Sequence, residues 1–241
     1  MPKVNFILNG KGGIGKSHVA TLLAERYMRE GPDKVVCVDT DPVNQTFASY
    51  GAFKARRLEL VEKNAVKEKN FDRLMEWILT EDKHFVIDNG SSSFLPLSRY
   101  IALTGALEMI AGAGRKVVMH SVIVGGQALI DTLHEFDQLA STIPESVELV
   151  VWLNEFFGPV VTPDQKSFDQ MKLYEKFKNR ISCLVRLSEP PSEMFREDLR
   201  ALTARRLAFG EVNTHPDFPI MSKQRLAQTG RAIFEQLERV V

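Results

Sequence analysis

Six short apolar runs punctuate the chain, at residues 4–8, 34–38, 84–87, 116–124, 148–153 and 181–187. Valine, isoleucine and leucine follow one another in them almost without alternation, the pattern of strands covered on both faces. Between the runs the apolar spacing lengthens to a helical period. Phe71, Leu74, Met75, Ile78 and Leu79 fall at i, i+3, i+4, i+7 and i+8, with Asn70 expected as the N-cap. Residues 16–30 gather Val19, Ala20, Leu22, Leu23 and Tyr27 mostly on one side, and Gly31-Pro32 stops them. Further helices are expected over 128–140, 165–179 and 222–239. The proline-rich stretch 188–221 breaks the rhythm and is expected to pack over an edge of the sheet. Strand and helix alternate, which predicts an α/β fold: a mostly parallel twisted sheet with helices on both faces, in one domain over residues 1–241.

Composition narrows the class. With 241 residues, 44% of them hydrophobic, the chain can bury a core without disulfides or metal. The longest stretch free of Asp, Glu, Lys and Arg runs over 117–130 and is too short to span a bilayer. No signal-peptide pattern opens the chain. Cys37 and Cys183 both sit in apolar runs, where a thiol packs as a small hydrophobe, so a reducing cytoplasm is the expected location. The 31 basic and 31 acidic residues cancel, but they are not evenly spread. Residues 117–165 contain no Lys or Arg and carry Asp131, Glu135, Asp137, Glu145, Glu148, Glu155 and Asp164. An acidic flank follows as an expectation, suited to a basic protein partner and ill suited to DNA.

The chemistry starts at Gly10-Lys11-Gly12-Gly13-Ile14-Gly15-Lys16-Ser17, which fits G-x-x-x-x-G-K-[ST] between an expected strand and an expected helix. Glycines let backbone N–H groups converge on phosphate oxygens, and the helix points its positive end at the same anion. In such a loop Lys16 bridges the β- and γ-phosphates and the Ser17 hydroxyl ligates Mg²⁺. A dinucleotide fingerprint does not fit, because His18 stands where Gly or Ala is needed. Residues 84–88 read His-Phe-Val-Ile-Asp, a strand ending in a carboxylate that orders a magnesium-bound water. Gly90-Ser91-Ser92-Ser93 follows as a loop free to rearrange around a γ-phosphate. Asp39 and Asp41 share one side of a strand end, a costly pairing of like charges unless a cation lies near.

Lys11, with Gly12-Gly13-x-Gly15-Lys16-Ser17, makes this loop resemble the deviant Walker A of the ParA/MinD family of ATPases, P-loop proteins of the SIMIBI type. The resemblance implies an ATP-dependent homodimer in which Lys11 reaches the partner's phosphates, with ATP and Mg²⁺ as cofactors and weak ATP hydrolysis. It implies that Asp39 joins Ser17 and Asp88 around Mg²⁺, the carboxylates acting through water, and that Asp41 positions the attacking water. It also implies that residues 10–18 cradle the nucleotide and that Asn154 reads the adenine edge. Two positions depart from the family pattern: His18 stands where Thr is usual, and Asn89-Gly90 where a small residue and proline are common. The strings DTDPVNQTF, VIDNGSSSF, GGQALIDT and VVWLN are similar to plasmid conjugal-transfer proteins of the TraL type. That similarity implies a bacterial, plasmid-encoded protein of the cytoplasm, serving DNA transfer or plasmid maintenance beside a conjugation or partition partner.

Three other readings remain open at this point. A small-molecule enzyme of the same loop class needs an acceptor pocket, and no second polar cluster supplies one. A membrane- or nucleoid-positioning ATPase would use the last helix, where Leu226, Ile233, Phe234, Leu237 and Val241 lie near one face among Lys223, Arg225, Arg231 and Arg239. Core packing is the expected role of that face, so a membrane partner is not favoured. Direct DNA binding would use Arg196, Arg200, Arg205 and Arg206, which are read here as a solvated helix face among Glu197 and Asp198. Gly125-Gly126-Gln127 either approaches the nucleotide or a partner, or forms a tight turn into the next helix.

Overall fold

A computed structural model describes residues 1–62 and 65–240. The strands are β1 (Lys3–Ile7), β2 (Val35–Asp39), β3 (Arg56–Arg57), β4 (Val61–Glu62), β5 (Ala65–Val66), β6 (His84–Asp88), β7 (Lys116–Val124), β8 (Glu148–Asn154) and β9 (Ile181–Leu187). The helices are α1 (Lys16–Met28), α2 (Phe71–Thr80), α3 (Phe94–Thr104), α4 (Ala106–Gly112), α5 (Leu129–Thr142), α6 (Lys172–Phe177), α7 (Glu193–Ala204) and α8 (Ile220–Leu237). Seven strands form one parallel sheet in the order β3-β2-β6-β1-β7-β8-β9, and β4 pairs with β5 as a small antiparallel hairpin.

The alternation of β1 explains the layers. Val4, Phe6 and Leu8 enter one core with side chains of α2 through α6, while Ile7 enters the other with α1 and α8. β1 lies between β6 and β7, so the chain order reverses on either side of it. In open α/β sheets that reversal opens a crevice at the carboxyl ends of the strands.

All six expected strands form, within a residue or two at their ends. Other expectations need correcting. Asn70 does not cap α2 through its side chain: its backbone is already helical at φ −68°, and Nδ2 donates to Glu59 O at 2.9 Å. It ends a short 3-10 turn that leads into the helix. The helix expected over 165–179 shrinks to α6, because Gln165 takes φ +62° and Thr162 receives the Lys166 N–H at 3.0 Å in a polar turn. α3 and α4 escaped the periodicity. Pro96 sits in the first turn of α3, where a missing N–H costs no hydrogen bond.

The last helix buries Leu226, Ile233, Phe234 and Leu237 against the rest of the chain, so these side chains are not available to a bilayer. Val241 lies outside the described residues. No helix among the described residues is long and apolar enough to cross a membrane.

Candidate functional site

β1 runs through Leu8 and Asn9 into the glycine loop, and α1 begins at Lys16 with Gly15 before it at φ +100°. A Cβ on Gly15 would stand 2.9 Å from Asn154 Nδ2, so both its backbone and its neighbour demand glycine. The first N–H groups of α1 have no acceptor within the helix and make its open end partially positive. Lys16 lies buried at the centre of the crevice. Its Nζ donates to Lys11 O at 2.7 Å and to Ser91 Oγ at 2.9 Å. Burial lowers its pKa, and the fields of Asp88, Glu135 and Asp41 oppose that shift.

Strand register then sets two acids side by side, with Asp39 of β2 opposite Asp88 of β6. Both are buried, but they are used differently. Asp39 accepts the Asp41 N–H at 2.9 Å on Oδ1 and the Ala48 N–H at 2.8 Å on Oδ2. Both oxygens hold the loop that leaves β2. Asp88 lies near the Ser17 hydroxyl, and among the described residues its Oδ1 has no hydrogen-bond partner. Burial pushes Asp88 up to about 7, the Ser17 hydroxyl opposes this, and the Asp39 charge adds to it. A desolvated, unpaired carboxylate oxygen is costly unless a cation meets it. Ser17 with Asp88 is an all-oxygen donor set of the kind magnesium takes. Asp39 stands behind that set as a support for the loop.

The two loops that could respond to a ligand touch each other. Asp41 Oδ1 accepts the N–H groups of Val43 at 2.9 Å and Asn44 at 3.2 Å, closing a tight turn. Gly90 packs on it so closely that a Cβ would meet Asp41 Cα at 2.7 Å. Thr40 joins the same contact by donating to Asn89 Oδ1 at 2.9 Å. Lys11 does not point into the crevice. Its Nζ sits 2.7 Å from Asp131 Oδ2 in the first turn of α5, and that hydrogen bond raises its pKa.

Beside the glycine loop lies a cavity of about 420 Å³, lined by Gly13, Gly15, His18, Phe157, Leu187 and Pro190 among others. Its remaining walls come from the loops that follow β8 and β9 and from faces of α7 and α8. Burial lowers the His18 imidazole to about 4, so it is neutral at pH 7. Asn154 stands between the cavity and the glycine loop. Its Nδ2 donates to Ile14 O at 2.9 Å, and its Oδ1 accepts the Phe156 N–H at 3.2 Å. The amide expected to read a base is thus engaged in holding the two loops together.

Sequence reading missed Ser91 as a partner of Lys16, and it missed the pair Asn9 and Glu135, joined at 3.1 Å beside Gly10. It also missed the cavity walls. The position of Phe156, Phe157 and Pro190 just past strand ends was the available signal. The turn at Gly125-Gly126-Gln127 packs on the carbonyls of Gly158 and Pro159, so it is a close backbone contact between loops.

The acidic flank is not bare. Asp131 pairs with Lys11, Asp137 with Lys176, Glu148 with Lys116, Glu155 with Arg186 and Asp164 with Lys166. Cations from elsewhere in the chain fold onto a segment that has none of its own. Three of the four arginines set aside as a solvated face are paired too: Arg196 and Arg200 with Glu193, and Arg205 with Asp217.

No protein-family model matches the chain. Two TraL proteins of Escherichia coli are 40% and 38% identical to it over 238 residues, which cover 99% of this chain and 98% of each relative. Two solved structures share its fold. The MinD cell division protein of Aquifex aeolicus has a TM-score of 0.51 at 16% identity and covers 97% of both chains. A putative plasmid partition protein of Borrelia burgdorferi B31, bound to AMPPNP, has a TM-score of 0.51 at 18% identity over 100% of both. Identities that low carry the fold alone, whereas 40% over nearly the whole length carries kinship. The chain belongs to the TraL family and has the MinD/ParA P-loop NTPase fold.

Proposed function

We propose that this chain is a Mg-ATP-binding dimerisation switch with slow ATP hydrolysis, serving plasmid conjugal transfer or plasmid maintenance. The observation that carries the reading is the unpaired Asp88 Oδ1 beside Ser17 and Lys16, beneath a glycine loop at the open end of α1. In this reading the amides of residues 12–18 and the Lys16 ammonium hold the phosphates, while Ser17 and Asp88 hold magnesium. The ion supplies charge neutralisation at the phosphate oxygens. Lys16 leaves Ser91 when it turns to a phosphate, which frees the loop 90–93 to follow the ligand. Asp41, released from its turn, orients the attacking water.

The rim around the loop supports a second copy as the dimer partner. Val43, Leu95 and Ile130 are each at least 70% exposed, and they follow the carboxyl ends of β2, β6 and β7 in the sheet whose β1 leads into the glycine loop. Such apolar exposure favours burial against another surface. Lys11, held by Asp131 within one chain, is free to exchange that partner for the phosphates of a second chain. The packed face of α8 gives no support to the membrane-positioning alternative. The test is light scattering with and without Mg-ATP. Wild-type chain should dimerise only with Mg-ATP, and Lys11→Ala should bind ATP yet remain monomeric. Nucleotide-independent size, or full dimerisation of Lys11→Ala, would count against the switch.

A further inference from the structure

We propose that Arg196 is the positioning residue of the 420 Å³ cavity, holding two of its walls at the separation that accepts the base of a nucleotide. This rests on the nucleotide reading above and extends it to a residue that does not itself line the cavity. One wall is the loop after β8, with Phe156 and Phe157. The other is the loop after β9, residues 187–191. From the first turn of α7, Arg196 bridges the two. Its Nη1 donates to Phe156 O at 2.6 Å, and its Nη2 lies 3.2 Å from Glu189 Oε1. The Nε lies 3.4 Å from Glu193 Oε2, and the guanidinium carbon stands 5.0 Å from the centroid of the Phe156 ring. Only a planar group with several donors at fixed angles can serve a carbonyl, two carboxylates and a ring face at once.

A second anchor makes the bridge effective. β9 is the last strand of the sheet, so its outer edge has no ladder partner. Gln236 of α8 fills one step of that edge: its Oε1 accepts the Arg186 N–H at 2.8 Å, and its Nε2 donates to Arg186 O at 3.0 Å. The strand is therefore fixed just before it becomes a cavity wall. Pro190 and Pro191 then stiffen that wall. With the β9 wall fixed to α8, Arg196 ties the β8 wall to it.

None of the contacts of Arg196 reaches the glycine loop, Lys16 or Asp88. The phosphate end is organised by α1 and β6, independently of α7. A lesion at Arg196 should therefore weaken recognition of the base and spare recognition of the phosphates. Non-specific unfolding would weaken both.

The experiment is calorimetric titration of the full-length chain with Mg-ATP and, separately, with magnesium tripolyphosphate. For Arg196→Lys, ATP affinity should fall about tenfold, since hydrogen bonds to a charged group are lost, and tripolyphosphate affinity should stay within about twofold. Glu189→Ala removes the same bridge from an exposed side chain that does not endanger folding. It should weaken ATP about threefold, again with tripolyphosphate unchanged. Unaltered ATP affinity in both variants, or equal losses for both ligands, overturns the assignment. So does a wild-type chain that binds tripolyphosphate as tightly as ATP, which leaves the phosphate site standing. A wild-type chain that binds neither ligand overturns the nucleotide reading itself.

Discussion

Two buried polar clusters share the central strands of the sheet and are finished in opposite ways. Midway along the sheet, Asn5 of β1 donates to Phe85 O at 2.9 Å and to Tyr27 Oη at 3.1 Å. Its carbonyl oxygen meets His120 Nε2 at 3.1 Å, and Trp152 donates to His120 Nδ1 at 3.0 Å. The indole donor fixes the tautomer, because Nδ1 must accept and Nε2 must carry the proton. At the carboxyl end of the same strands, Asp88 keeps one oxygen without a partner and Lys16 borrows a loop carbonyl and a serine. A closed network stabilises the fold and holds its registers. An open one stores an unmet demand for charge, which a ligand can answer. Only the second cluster has work left to do.

The contrast can be broken most severely at its closed end. His120→Ala leaves the Trp152 N–H unpaired and opens a cavity, so unfolding free energy should fall by about 3–4 kcal/mol in urea titration. Nucleotide affinity of the folded chain should stay within about twofold of wild type. A large, selective loss of nucleotide binding would mean that the two clusters are coupled.

Acid should act on the same histidine. Burial lowers His120 to about 3 from its ordinary 6.5. Below pH 6.5 the unfolded chain takes up a proton that the folded chain refuses, so this contribution is whole above 6.5 and is lost as pH falls toward 3. The loss should reach about 2 kcal/mol near pH 5. Ring nitrogen NMR should show a neutral Nε2–H imidazole in the folded chain between pH 6.5 and pH 5, and a His120 resonance titrating near 6.5 would contradict the closed network.

The smallest effect is expected at the open end, with the opposite sign. Asp88→Asn removes a desolvated charge and should raise the stability of the ligand-free chain by about 1 kcal/mol, while Mg²⁺ ceases to strengthen nucleotide binding. Thermal melts with and without Mg-ATP measure both. Destabilisation comparable to that of His120→Ala would erase the distinction.

The glycine loop and the six long strands were legible because their signals are local. Gly15 needs a positive φ whatever surrounds it, and a run such as Lys-Val-Val-Met-His-Ser-Val-Ile-Val offers no polar face to expose. Asp39 and Asp88 were legible as strand-end acids, but not that one would be saturated by loop amides and the other left open. The acidic run was legible too, but not the cations that pair with five of its seven acids: Lys11 meets Asp131 across 120 residues of chain. Arg196 was read as a charge on a helix face, since nothing near it in sequence announces the Phe156 carbonyl 40 residues away.

By itself, then, the sequence determined the six long strands, the helices of strong apolar period and the phosphate-loop geometry, because backbone preference and apolar period act over a few residues. Only the tertiary structure decided which charges are neutralised, which oxygen stays unpaired and which loops wall a cavity. Those outcomes depend on strand order, β3-β2-β6-β1-β7-β8-β9, which brings distant residues within hydrogen-bonding distance. An electrostatic demand is met or left open only at that range.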